Sequence, residues 1–442
     1  MISCQKLLEC QTGDPLAMAK FLLMTIPAEG HMTQVVPIVR KLIERGHQVV
    51  WIAGREYRMR VEAVGAQFEA IPEEVDPNGA GFYDRYPKLK ELKGLAQIKY
   101  WVRNVFLNAA PREVLTVNAV VKDFAADVFV GDTVTLGLSF AAELNCKPCV
   151  CISVLPPSPP SRDTAPYGLG LLPGRGAASK IRNRVLNVLV HRILLRELAV
   201  YANAVREKCG LPAIRGEFLT AMRHKMSLVM FTTTPAFEYP RTDLPDFCHF
   251  IGPILPEATG NFQPLPWWSQ LEGPDPVVLI NQGTVANAPE DLILRAVRGL
   301  SKERMEIVAV PVKDGLSAKL PANVHAAPFI PFDRLLPHVD VMVTNGGYNG
   351  TQCALAHGVP LVVAGETEDK REVAARVEWC GAGVNLRRRR PSPELIREAV
   401  KEVLGNPFYR ENARRIQADF ASYNAPLRAA ELLEGLVGRK RQ

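Results

Sequence analysis

The chain has 442 residues, 22% charged and 47% apolar, which allows two or three domains with buried cores and excludes a disordered polymer. Its net charge of +7 is spread out, apart from Arg387–Arg390 and a basic C-terminal tail, so it lacks the dense basic stripe of a nucleic-acid-binding protein. No apolar run is long enough to span a bilayer, and nine cysteines set largely in apolar runs suit a reducing, cytoplasmic setting.

Residues 1–18 show no signal-peptide core and are expected to form a disordered extension. From Phe21 onward strands and helices alternate. "FLLMTIP" reads as a buried strand, "MTQVVPIVRKLIERG" as a helix stopped at Gly46, and "HQVVWIAG" as the next strand. A helix around Tyr57–Val64 and a strand "QFEAIP" follow, and residues 73–120 read as irregular or helical. "DVFVGD" and "PCVCIS" resume the sheet; the CxxC at Cys146 and Cys149 has no second CxxC or paired histidine, and reads as strand rather than metal site. After a proline-rich loop, Arg182–Lys208 reads as one apolar-faced helix rich in arginine, packed on its own domain or lying on a membrane surface.

Residues 241–275 are rich in proline and aromatics and read as a linker. Beyond them come "PVVLINQGT", "MEIVAVP", "VHAAPFIP", "VMVTNGG" and "PLVVAG", separated by helical segments, with "AGVNL" as a further strand. Alternation of this kind implies parallel sheets covered on both faces. The chain therefore divides into an N-terminal α/β domain at 19–240, a C-terminal one at 276–420 and a last helical stretch at 421–442. Ligands of such folds bind at the carboxyl ends of the strands, in the cleft between the two domains.

Two glycine turns face that cleft. "VMVTNGGYNGT" offers Gly346 and Gly347 for a sharp turn, with Gly350 and Thr351 opening a helix whose N–H groups can hold a diphosphate. "NQGT" offers Gly283 and the Thr284 hydroxyl. After "PLVVAG", the loop Glu366–Lys370 supplies carboxylates and an amine that suit sugar hydroxyls. Neither turn fits GxGxxG or a Walker loop.

The segment "VTNGGYNGTQCALAHGVPLVVAGETEDK…VEWCGAGVNL" resembles the donor-binding signature of the GT-B UDP-dependent glycosyltransferases, the family of plant secondary-product and macrolide glycosyltransferases. "IPAEGHMTQVVPIVRKLIERGHQVVWIA" resembles that family's N-terminal segment, "FIPFDRLLPHVD" the segment before the donor signature, and "NAPLRAAELLEGL" its closing helix. "TNGGY" and "TEDK" resemble a microbial subset. The resemblance implies two Rossmann-like doubly wound domains, the first binding acceptor and the second nucleotide sugar, with the final helix crossing back to the first domain.

It further implies that His31 is the general base and Asp132 the carboxylate that orients it, giving displacement with inversion. Donor binding would fall to Gly283, Thr284, Phe329 (stacked on uracil), Ile330, Asn345, Gly347, Asn349, Gly350, Thr351, Glu368, Asp369 and Lys370. Acceptor binding would fall to Phe82, Tyr83, Trp101 and Phe106, with specificity in 73–110 and 155–200. No cofactor or metal is required, and His47 matches a structural histidine.

Several positions depart from the family pattern: Asn345 replaces a histidine, Lys370 a glutamine, Cys353 a glutamate beside Gln352, and Phe332 a glutamine. The expected activity is transfer of a hexose, glucose foremost, from a UDP-sugar to a hydrophobic hydroxylated small molecule, in secondary metabolism. Expected partners are that donor and acceptor, with no nucleic acid and at most peripheral membrane contact. The alternatives are a nucleotide-sugar epimerase of the same architecture and a non-catalytic sugar-nucleotide or lipid-binding protein.

Overall fold

The computed structural model describes residues 18–73, 75–76, 82–92, 94–174, 176–257, 260–283, 290–310, 320–367 and 369–437, without the side chains of Phe82, Tyr83 and Lys90. The expected extension (apart from Met18), Thr284, Glu368 and the Phe82 and Tyr83 side chains therefore lie outside the described residues.

Seven parallel strands form the first sheet: β1 (Lys20–Met24), β2 (Gln48–Ala53), β3 (Gln67–Ala70), β4 (Val128–Asp132), β5 (Cys149–Ser153), β6 (Leu228–Phe231) and β7 (Cys248–Phe250), in the order β3-β2-β1-β4-β5-β6-β7. Both faces are covered, which is why the strands read as continuous apolar runs. In β1, Phe21 and Leu23 join one core while Leu22 and Met24 join the other. Full burial of such a side chain is worth roughly 1.5–3 kcal/mol.

The second sheet, also parallel, has six strands: β8 (Val277–Asn281), β9 (Glu306–Val310), β10 (Val324–Ala326), β11 (Val341–Thr344), β12 (Leu361–Val363) and β13 (Gly383–Asn385), in the order β10-β9-β8-β11-β12-β13. Strand order reverses between β1 and β4 in one sheet and between β8 and β11 in the other. Doubly wound sheets open a crevice at such points, beyond the strands' carboxyl ends.

The helices that matter for the site are α1 (Glu29–Glu44), α2 (Asn108–Asp123), α3 (Leu136–Leu144), α4 (Ala177–Asn187), α5 (Arg196–Lys208), α6 (Tyr348–Ala356), α7 (Lys370–Trp379) and α8 (Ala425–Glu434). Although last in the chain, α8 belongs to the first domain's core through Ala425, Ala429, Ala430 and Leu433. Its Glu434 accepts from Arg45 at 2.6 and 2.9 Å and pairs with His47 Nε2 at 2.8 Å, while His47 Nδ1 accepts from the Ala19 N–H. His47 is thus tied into structure on both ring nitrogens.

Two expectations are revised. The stretch read as linker, 241–275, contributes β7 as an edge strand; three residues are too few to show an alternation. The helix read across Arg182–Lys208 is broken: α4 widens into a π-helical segment, Val188–Leu194, and a turn at Leu195 precedes α5. The Leu195 N–H bonds to the Val190 carbonyl five residues back, a widening that hydrophobic spacing does not reveal. In the basic run, Arg387 pairs with Glu378, and Arg389 and Arg390 share Asp291.

The two domains are joined by buried polar contacts. Glu238, just past β6, accepts from the Tyr348 hydroxyl at 2.6 Å and from Arg376 Nε at 2.5 Å. Arg376 also reaches Glu372 at 3.0 Å, and Glu372 accepts the N–H groups of Gly168 and Gly170 at 2.8 Å each. The loop after β5 is thereby held on α7.

Candidate active site

The first half of the site follows from strand register. Met24 of β1 pairs with Gly131 of β4, so the chain leaving β1 and the last residue of β4 emerge side by side. Chain leaving β1 turns into α1, placing His31 in its first turn; β4 ends at Asp132. His31 Nδ1 lies 2.8 Å from Asp132 Oδ2, with the carboxylate fully buried and the imidazole 15% exposed.

The surroundings fix protonation states. Asp132 Oδ2 also accepts the Ile26 N–H at 3.0 Å, and Oδ1 accepts those of Val134 and Thr135 at 2.9 and 3.1 Å. Burial opposes the charge on Asp132, but the His31 charge and hydrogen bond, with the Ile26 and Val134 N–H groups, outweigh it and hold the carboxyl below its usual range. A carboxylate with its lone pairs so occupied can only accept, so Nδ1 of His31 must carry the proton. In the neutral ring this leaves Nε2 with the free lone pair. That is the arrangement of a general base.

A cavity adjoins this pair, walled by Met24–Pro27, Ile71, Val75, Tyr86, Val105, Phe106, Ala109 and Glu113. Its volume, about 20 Å³, is room for one water, so a larger molecule requires its walls to move. Phe106 lines it and stacks on Trp101 at 5.6 Å with an 18° interplanar angle; Trp101 itself does not line it. Sequence reasoning missed Glu113. One of its oxygens accepts the Gly137 N–H at 2.8 Å at the start of α3, and burial pushes its carboxyl up to about 8. On the sequence it reads as an ordinary charge on a helix face.

The second half of the site lies at the other switch point. Thr344 of β11 pairs with Asn281 of β8, bringing the two glycine turns together. Gly283 and Gly346 both take positive φ, 73° and 84°, and a Cβ on Gly283 would sit 3.4 Å from the Asn345 amide oxygen. The helix opens earlier than its sequence suggests: α6 begins at Tyr348 with Gly347 as N-cap. By helix geometry the N–H groups of Tyr348, Asn349 and Gly350 then lack intrahelical partners, whereas that of Thr351 bonds to the Gly347 carbonyl. The Thr351 hydroxyl is fully buried rather than presented at the helix start.

Around this turn the other donor candidates separate. Phe329 is 75% exposed, while Ile330 is buried in the second core and can offer only backbone. Lys370 is buried at the start of α7 and Asp369 is its half-buried N-cap. Gly365 packs so tightly on Asn345 that a Cβ there would lie 1.8 Å from the Asn345 carbonyl oxygen.

The halves meet through one segment. Gln34, one turn beyond His31 in α1, accepts from the Thr232 hydroxyl, and Tyr348 at the start of α6 donates to Glu238. Six residues of chain reach at most roughly 20 Å, so one short segment ties the two helix starts together.

Residues 295–436 match the family described as Erythromycin biosynthesis protein CIII-like, C-terminal domain. Over 420 residues the chain is 42% identical to 4'-demethylrebeccamycin synthase of Lentzea aerocolonigenes, covering 95% of this chain and 100% of the relative. It is 30% identical to UDP-glycosyltransferase 2 of Phaeomoniella chlamydospora, covering 94% and 95% respectively. Among solved structures, the glycotransferase of kitacinnamycin superposes with a TM-score of 0.72 at 21% identity, covering 95% of this chain and 99% of that one. These likenesses set aside the epimerase and binding-protein alternatives. The chain belongs to the family 1 UDP-glycosyltransferases, transferases with the GT-B fold.

Proposed function

We propose that this enzyme transfers a hexose, glucose foremost, from its UDP-sugar to a hydroxyl of a hydrophobic small molecule, with inversion at the anomeric carbon. The observation that supports the reading is the His31–Asp132 pair, whose implied free Nε2 stands at a helix start tied to the glycine turn at α6 through the segment Thr232 to Glu238. His31 Nε2 takes the proton of the acceptor hydroxyl, and that oxygen attacks the anomeric carbon as the bond to the UDP oxygen breaks. Asp132 stabilises the imidazolium so formed, and solvent later receives its proton. Charge growing on the leaving diphosphate meets the N–H groups of Tyr348, Asn349 and Gly350, dipoles fixed before the reaction begins.

Phe329 stacks on uracil, and Asp369, with Glu368, receives the sugar hydroxyls. Gly283 and Asn345 shape the diphosphate turn, and Lys370 and Gly365 hold it from behind. The donor nucleotide is inferred from relatives named UDP-glucosyltransferase, among them those of Beauveria bassiana and Starmerella bombicola. The acceptor class rests on the apolar cavity wall of Met24, Ile71, Val75, Val105 and Phe106 and on the rebeccamycin relative's name.

The test is acceptor-dependent UDP release from UDP-glucose across a panel of phenolic, indolic and terpenoid alcohols, wild type beside His31→Ala. The variant should lose about two to four orders of magnitude in kcat. Turnover equal to wild type would remove His31 from the mechanism, and an α-linked product would exclude single displacement.

A further inference from the structure

Seven of the fourteen large apolar side chains left exposed among the described residues fall between Ile181 and Val200. They lie at helical spacing on one side: Ile181 (62% exposed), Val185 (59%), Val188, Leu189 and Ile193 (62%). The opposite side of α4 is polar. Asn183 donates to the Asp163 and Pro173 carbonyls, and Asn187 to those of Ser161 and Thr164, so asparagines anchor the helix to the loop beneath it. A helix of a soluble domain normally turns its apolar side to the core; here the sides are exchanged. None of these residues lines the cavity beside His31.

The charges agree with the exposed stripe. Between Asp163 and Glu197 the sequence has six lysines and arginines and no carboxylate. Lys180, Arg182, Arg184, Arg192 and Arg196 are all exposed, and none forms a salt bridge among the described residues. Arg184 and Arg192 do share an open hollow with Glu217 and Asp243, which leaves the helix's outer edge cationic. No helix of the described residues is long and apolar enough to cross a membrane.

We propose that α4 and the π-helical segment after it form a docking surface for an anionic phospholipid bilayer. The apolar stripe enters the headgroup boundary and the flanking lysine and arginines face lipid phosphates. Charge complementarity selects this occupant: a second copy would set the same cationic edge against itself. The inference does not depend on which acceptor the enzyme glycosylates. If that acceptor partitions into lipid, docking brings the enzyme to it.

The test is sedimentation of the full-length protein with phosphatidylcholine vesicles with and without phosphatidylglycerol. Binding should require the anionic lipid and weaken as salt rises. Val185→Asp with Ile193→Asp, and separately Lys180→Glu with Arg196→Glu, should each reduce partitioning by roughly tenfold or more. All four side chains are exposed, so thermal melting should match wild type and report that the variants fold. No binding to either vesicle, or binding unchanged in both variants, overturns the proposal. So does a concentration-dependent dimer that Val185→Asp with Ile193→Asp abolishes, which would assign the stripe to a second copy.

Discussion

Asp132 Oδ2 sits 2.8 Å from His31 Nδ1 although 101 residues separate the two in sequence, because β1 and β4 are neighbours in register. Three backbone N–H groups complete the carboxylate's shell, so Asp132→Asn must aim its amide either at those donors or at the imidazole. With the amide nitrogen toward the imidazole, His31 loses the acceptor that keeps the proton on Nδ1; with it toward Val134 and Thr135, the remaining acceptor is neutral and stabilises the imidazolium less. We expect kcat to fall by about two to four orders of magnitude, with KM for the UDP-sugar changed little. A variant with near wild-type kcat would mean that Asp132 is only a structural anchor.

Glu113 makes a prediction about pH. Its carboxyl is pushed by burial from 4.5 to about 8, against the favourable Gly137 N–H and with a further push from Asp132. Between those values the folded chain holds a proton that the unfolded chain releases, so this group's contribution to stability is full below about 4.5 and is lost as pH rises towards 8. Glu113→Gln keeps a carbonyl for Gly137 and removes the titration. Relative to wild type it should gain stability between pH 5 and 8, on the order of a few kcal/mol at most. Thermal melts across that range check it; a constant offset between the two proteins would show that Glu113 does not titrate there.

Glu113 also marks where sequence stops being legible. The alternation of apolar runs gives both sheets because period and composition are local, and His31 and Asp132 are singled out by the resemblance of their segments to the family, near the ends of β1 and β4. The cavity residue is not: its burial depends on Gly137 lying close, where a Cβ would come within 2.3 Å of Glu113 Cβ. The helix α6 starts at Tyr348, two residues before the Gly350 start that the sequence suggests, because Gly347 caps it without a side-chain hydrogen bond. The break at Leu195 is hidden because the widening is a matter of backbone hydrogen bonding, the Leu195 N–H reaching the Val190 carbonyl, and no side chain marks it.

Arg376 is the cation between two buried carboxylates, Glu238 from the first half of the chain and Glu372 one turn before it. It also lies over the Tyr239 ring, 4.4 Å from its centroid. Replacing it by methionine keeps the volume but leaves Glu238 and Glu372 facing each other without a counter-charge. The loss should be about 3–5 kcal/mol, read as a lower urea midpoint. Because Glu238 also accepts from Tyr348 beside the glycine turn, KM for the donor should rise in the same variant. An unchanged midpoint would show that the carboxylates simply protonate.

Two glycines at the turn proposed to hold the donor separate folding from binding. Gly365→Ala drives a Cβ to within 1.8 Å of the Asn345 carbonyl oxygen, so the turn itself must shift, lowering stability and weakening the donor together. Gly347 is different: its φ is −61°, and a Cβ there meets nothing within 4 Å. Alanine at this N-cap should cost on the order of 1 kcal/mol. The space that Cβ enters adjoins the N–H groups of Tyr348, Asn349 and Gly350, where the proposed mechanism seats the diphosphate. Gly347→Ala should therefore melt within about 5 °C of wild type yet raise KM for the UDP-sugar by roughly tenfold, since a group that approaches backbone closely tolerates no added methyl. If Gly347→Ala binds donor normally while Gly365→Ala does not, the diphosphate sits elsewhere along the turn, and α6 loses its role in the leaving group's departure.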